Sequence, residues 1–304
     1  MAEITYSQKN PDYPIVYAAF GAMHTRVELL AVGLSESKGR ELMAEAEQEV
    51  KRLERLFNRF DSRSPLAVVN AKAVTESVEV DDELFMALEL CEVFRRATGG
   101  YFDVTASDDA GAVESVRGGY ALDGKGHRVR VLREGTRIDL GGFAKGYAAE
   151  NLKRIFQSAG VGQAVINFGN SSITTLGHHP YGEWWPIGIE HREAKGAVAR
   201  EVRLCDSAMS VSGRAADGEY HIIDPLTGGR AMGEELIVVE GRSALVAEVL
   251  STALYAAPRN KRAAIMAQYE GYKASEIYCR RGGMAECRAI GRAEMERDED
   301  RERK

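Results

Sequence analysis

Glu248 and Thr252 stand four residues apart in the run Ala247-Glu-Val-Leu-Ser-Thr-Ala-Leu254. Read as a helix, this run puts a carboxylate and a hydroxyl on one face. Both are hard oxygen donors suited to Mg²⁺, which takes one or two protein groups and fills its shell with phosphate oxygens and water. A second run, Asp139-Leu-Gly-Gly-Phe-Ala-Lys-Gly-Tyr147, turns on Gly141 and Gly142. It lies between a strand expected to end at Ile138-Asp139-Leu140 and a helix expected over residues 143–159. Glycines at such a turn let a ligand approach the main chain, and amides at a helix N-terminus favour an anion. Lys145 adds a mobile positive charge in the first turn, so this run carries the chemistry of a phosphate-bearing cofactor. In a third run, His221-Ile-Ile-Asp-Pro-Leu-Thr-Gly228, one of six histidines precedes a turn made by Pro225, Thr227 and Gly228, with Asp224 close in sequence. An imidazole titrating near neutrality can take a hydroxyl proton during phosphoryl transfer. Each run also has a plain structural reading: a turn before a helix, a surface Glu, a histidine before a loop.

A fourth run, Thr98-Gly-Gly-Tyr-Phe-Asp-Val-Thr105, follows another expected helix. Gly99 and Gly100 end that helix, and Asp103 and Thr105 are expected to present short polar groups on an extended segment. In this order the four runs resemble the FAD:protein FMN transferase family, the ApbE-type flavin transferases. Weaker echoes are Met23-His-Thr25, Arg59-Phe-Asp-Ser-Arg-Ser-Pro-Leu66 with Asn70, and Ala208-Met-Ser-Val-Ser-Gly213, so the likeness covers roughly residues 23–258.

The resemblance implies an α+β (mixed α/β) fold with mixed sheets packed against helices. It implies FAD as substrate and Mg²⁺ as cofactor, with FMN passing to a Ser or Thr of an acceptor flavoprotein and AMP leaving. On this basis Met23, Thr25, Tyr101, Asp103, Gly141, Gly142, Lys145, Gly169, Ser212, Gly213, Asp224 and Thr227 would contact the dinucleotide. Asp103 would accept from adenine or ribose, and Tyr101 stands where the family residue is often small, which should not matter if its ring faces solvent. Glu248, Thr252 and the main-chain carbonyl near Ala144 would hold the metal, with His221 as base and Lys145 neutralising phosphate charge. The chain also departs from the family. Glu248 stands for Asp, His24 for Gly, and Val211 for Thr, while Phe168-Gly-Asn-Ser-Ser172 replaces a Gly-Gly-Asp. The stretch between Thr105 and Val129 is short and rich in glycine. A divergent member is implied, with an FAD pyrophosphatase or a non-catalytic FAD-binding protein as the alternatives.

The elements that must position these residues follow from periodicity. Residues 15–32 read as a hairpin. Residues 37–58 form a long amphipathic helix, with Leu42, Ala46, Val50, Leu53 and Phe57 at steps of three and four. Asp81 or Asp82 can cap a helix carrying Leu84, Leu88, Cys91 and Phe94. Residues 129–140 alternate as strands do, with Gly135-Thr136 as a turn. Residues 163–168 and 236–240 read as buried strands, and residues 243–257 as a helix stopped by Pro258. In the helix over residues 143–159, Phe143, Tyr147, Leu152, Ile155 and Phe156 share a face, and Gly160 stops it. The chain reads as a single domain over residues 1–304 with its core at about 15–280, and residues 292–304 are a charged tail.

Composition sets the outer bounds. A chain of 304 residues with 44% hydrophobic content can bury one large core or two modest ones. A net charge of -6 argues against nucleic acid, whose backbone calls for a basic face. No apolar run reaches the roughly 18 residues of a membrane span. The N-terminus does not read as a signal peptide, and four scattered cysteines without a CxxC pair suit free thiols, so a cytoplasmic monomer or homodimer is expected.

Overall fold

The computed structural model describes residues 2–106, 118–214, 218–280 and 282–291. The charged tail and residues 107–117 of the glycine-rich stretch after Thr105 lie outside these residues. A nine-stranded sheet runs in the order β1-β2-β3-β7-β8-β11-β12-β13-β14. Its strands are β1 (Glu3–Ser7), β2 (Ile15–Ala22), β3 (Thr25–Val32), β7 (Ala164–Phe168), β8 (Ser172–Leu176), β11 (Ala208–Ser212), β12 (Leu236–Gly241), β13 (Lys273–Cys279) and β14 (Ala285–Ile290). A three-stranded sheet holds β4 (Val78–Glu79), β5 (Tyr120–Asp123) and β6 (Arg128–Val131), and β9 (Trp185–Glu190) pairs with β10 (Val198–Leu204). The α+β class stands, but every described pairing is antiparallel, where mixed sheets were expected.

Four helices form as the sequence predicts, among them the one over Ala144–Ser158. The apolar stripe of α1 (Glu36–Phe57) is buried at Leu42, Ala46, Val50, Leu53 and Phe57. Asp81, and not Asp82, caps α3 (Asp82–Ala97), its carboxylate accepting from the Leu84 amide at 2.8 Å. Helix α5 (Ala244–Ala256) starts at Ser243, whose hydroxyl accepts from Val246 N. Two short helices, α2 (Pro65–Lys72) and α6 (Arg259–Met266), were not expected. Both are eight residues long; Pro65 is the first residue of α2 and Pro258 caps α6, and a proline there presets the first turn but gives sequence reading no period to detect.

The run Leu236-Ile-Val-Val239 is buried throughout because both faces of β12 are covered. Ile237 and Val239 face the α5–α6 side, whereas Leu236 and Val238 pack with Ile189 and Val202 of the β9–β10 pair. The larger core joins α1, α3 and α4 (Ala144–Ser158) to β2, β3 and β7.

One predicted strand is absent. Residues 129–140 give only β6; Ile138 and Asp139 belong to no ladder. Asn70 takes the place of a neighbouring strand, its side chain accepting from Ile138 N at 2.7 Å and donating to Ile138 O at 2.9 Å. Asp139 N donates to Val104 O at 2.7 Å. A side-chain amide and one loop carbonyl satisfy this backbone, so no sheet partner is needed.

Candidate active site

The turn before α4 is built by Asp139. Its Oδ1 accepts from Gly141 N at 2.8 Å, and its Oδ2 lies 2.8 Å from Arg59 Nε. The amides of Phe143 and Ala144 both reach Leu140 O, at 3.0 and 2.8 Å. Three amides of the expected anion cradle are therefore used inside the turn, and the positive charge beside it comes from Lys145. Lys145 Nζ donates to Glu248 Oε1 at 2.5 Å, joining α4 to α5.

The approach of these helices rests on Gly146. A methyl group there would lie 2.8 Å from both Ala244 O and Leu245 Cα, and 3.0 Å from Glu248 Cβ. Glu150 of α4 also accepts from Ala244 N at 2.6 Å, tying the start of α5 to the same helix. Glu248 is 3% exposed, and its Oε2 is buried without a hydrogen-bond partner. A methyl on Gly142 would meet Thr252 Oγ1 at 3.2 Å, so that hydroxyl faces the glycine turn. Among the described residues no group of three or more His, Cys, Asp or Glu is placed to hold a metal ion. An orphaned carboxylate oxygen and a nearby hydroxyl nevertheless fit a Mg²⁺ ion of the kind that leaves most of its shell to substrate oxygens.

These groups open on a cleft of about 600 Å³. Met23, Tyr101, Asp103, Gly141, Gly142, Lys145, Gly169, Ser212, Gly213, His221, Glu248 and Thr252 line it, as do His24, Asn170 and Val211. Ala144 lines an adjoining pocket with Phe57, Arg59 and Phe60. Three residues expected at the dinucleotide do not line the cleft. Thr25 packs under the β7–β8 turn, where a methyl on Gly169 would collide with its Oγ1 at 1.8 Å. Asp224 accepts from Leu226 N and from Thr227 Oγ1, both at 2.9 Å, so these two shape the loop after His221. Asp103 lines the cleft with its carboxylate already engaged by Thr105 N, Thr105 Oγ1 and Gly118 N. That segment is a turn rather than extended. Tyr101 is half-buried and packs against two core clusters instead of facing solvent.

The profile of the ApbE family matches residues 23–275. The chain belongs to the ApbE family. Among similar proteins, the FAD:protein FMN transferase of Treponema pallidum is 27% identical over 265 residues, 73% of this chain and 72% of that protein. One from Klebsiella pneumoniae is 23% identical over 241 residues, 68% of each chain. The fold is similar to that of the ApbE protein from Thermotoga maritima, with a TM-score of 0.77, 24% identity, and coverage of 95% of this chain and 98% of that one. It is also similar to flavin transferase ApbE from Vibrio cholerae, with a TM-score of 0.75, 18% identity and coverage of 93% and 99%.

Within this ApbE-family chain, the departures have local consequences. Met23 and His24 form the two-residue β2–β3 turn with φ of 51° and 57°, the left-handed region where glycine is favoured. The His24 ring meets Phe60 edge-on at 5.8 Å between centroids. Asn170 has φ 58° and accepts from Asn167 Nδ2 at 2.8 Å, a conformation Asn tolerates well. Ser210 and Ser212 both bond Ser251 Oγ, at 3.0 and 2.8 Å, which fastens β11 to α5 beneath the cleft. Sequence reading missed Arg192, which lines the cleft from the loop after β9. No periodicity or spacing marks it; the only trace is Gly213, where a methyl would lie 2.7 Å from Arg192 Nη2.

Among the described residues, no helix is long and apolar enough to cross a membrane.

Proposed function

We propose that the chain is an Mg²⁺-dependent FAD:protein FMN transferase, moving FMN from FAD to a Ser or Thr hydroxyl of an acceptor flavoprotein and releasing AMP. The observation that carries this reading is the Lys145–Glu248 contact of 2.5 Å beside the partnerless Glu248 Oε2, on the wall of a cleft that His221 also lines. Family membership and relatives named FAD:protein FMN transferase support it. In the reaction the acceptor oxygen bonds the FMN phosphorus, the diphosphate P–O bond breaks, and AMP leaves with the bridging oxygen. His221 takes the acceptor hydroxyl proton. Glu248 and Thr252, with the Ala144 carbonyl, would hold Mg²⁺, which when bound supplies charge neutralisation at the diphosphate. Lys145 holds charge at the same wall. Four unpaired cysteines suit a reducing, cytoplasmic setting.

The test combines protein, FAD, Mg²⁺ and a Ser- or Thr-bearing acceptor flavoprotein. Release of AMP with an FMN-sized mass gain on the acceptor is expected. AMP without the mass gain would mean FAD pyrophosphatase activity; neither product, with tight FAD binding, would mean a binding protein.

A further inference from the structure

Arg192 projects into the cleft from a segment that is firmly held. Its neighbour His191 is 1% exposed, with Nε2 2.8 Å from Met284 O, and His191 N donates to Ala197 O at 2.8 Å. Arg192 is half-buried, and burial lowers its pKa, with Arg214 nearby adding repulsion. Among the described residues no carboxylate lies in ion-pair range of Arg192. The other cations lining the cleft are answered: Lys145 by Glu248 at 2.5 Å and Arg214 by Glu193 at 3.5 Å. A half-buried guanidinium without a counter-charge is unfavourable unless a ligand provides one.

We infer that Arg192 is an oxyanion-recognition point of this cleft, taking a phosphate of the bound dinucleotide. The inference rests on the proposed function for the identity of the ligand. The Lys145–Glu248 pair is neutral overall, so it cannot by itself balance a diphosphate, whereas Arg192 carries an uncompensated charge. Its planar fork matches two phosphate oxygens at once. The absence of a side chain at Gly213 makes room for it: a methyl there would press on Nη2 at 2.7 Å and on Leu236 Cδ2 at 3.0 Å.

Binding of FAD, ADP and riboflavin to the full chain separates charge recognition from packing. In Arg192→Ala the Kd for FAD and for ADP should rise about 10- to 100-fold, the effect of losing a hydrogen bond between charged groups, while riboflavin binding stays unchanged. Arg192→Lys should fall between. Should Arg192→Ala fail to fold, Gly213→Ala keeps the arginine but displaces it, and the same selective loss is expected. Unchanged FAD and ADP affinity, equal weakening of riboflavin, or a rise only in the KM for the acceptor would each overturn the inference. Arg192-dependent ADP binding without FMN transfer would reject the proposed function and keep the anion point. Normal transfer with unaltered Kd in Arg192→Ala would do the reverse. A wild-type chain that binds neither FAD nor ADP would overturn both.

Discussion

Lys145 Nζ and Glu248 Oε1 meet at 2.5 Å across the α4–α5 contact, while the second oxygen of the same carboxylate has no partner. One oxygen is thus held by a lysine, and the other is the one assigned to Mg²⁺ in the proposed function. The pairing joins residues 103 positions apart, and it depends on two helices approaching closely at Gly146.

Gly146→Ala should therefore separate the helices. Its methyl would overlap backbone atoms at 2.8 Å, which cannot be relieved by a rotamer change. A loss of about 1–3 kcal/mol is expected, as for overpacked cores. Urea unfolding measures it, and AMP release should fall in the variant even below its unfolding midpoint.

Removing the partnerless oxygen should remove the metal response. Glu248→Gln keeps the side-chain shape, so the fold should persist by circular dichroism. Calorimetric titration with Mg²⁺ should show binding in the native chain and none in the variant, and chelator should abolish FAD turnover in the native chain alone. Turnover unaffected by chelator would remove the metal from the reaction.

His221→Ala should leave FAD affinity nearly unaltered, because the glycine turn and the cationic wall are untouched. Transfer to the acceptor should fall by roughly 10²–10⁴-fold, the usual contribution of a positioned acid–base group. Full transfer activity in this variant would assign the proton to another group.

Acid sensitivity should trace to Glu276. Burial alone would raise its pKa, but bonds from Arg259, Tyr278 and Arg262 outweigh burial and hold it below the ordinary 4.5. A carboxyl with a depressed folded pKa stabilises the fold above its unfolded value and loses that stabilisation as pH falls through the folded one. Stability should thus drop progressively below about pH 4.5. Glu276→Gln should cost about 1–3 kcal/mol at neutral pH, since it weakens the hold on buried Arg262, and should flatten the acid limb of Tm against pH.

Local chemistry made much of this protein legible before any fold was known. The stripe of α1, the Asp81 cap of α3, the Ser243 start of α5 and the glycine turn before Lys145 depend on neighbours within a few positions, so spacing alone specifies them. The same holds for Glu248 and Thr252, which one helical turn brings together. The Ile138 segment reads as a strand because alternation is a local signal, yet Asn70, 68 positions away, supplies its bonds instead. Arg192, the burial of Tyr101, and the engagement of Asp103 by Gly118 likewise result from contacts made only when distant segments pack. Residue types and short spacings determined which groups could do chemistry here; the tertiary structure decided which of them are already satisfied by the protein and which still face a ligand, because hydrogen-bond partners and counter-charges are set by proximity in space.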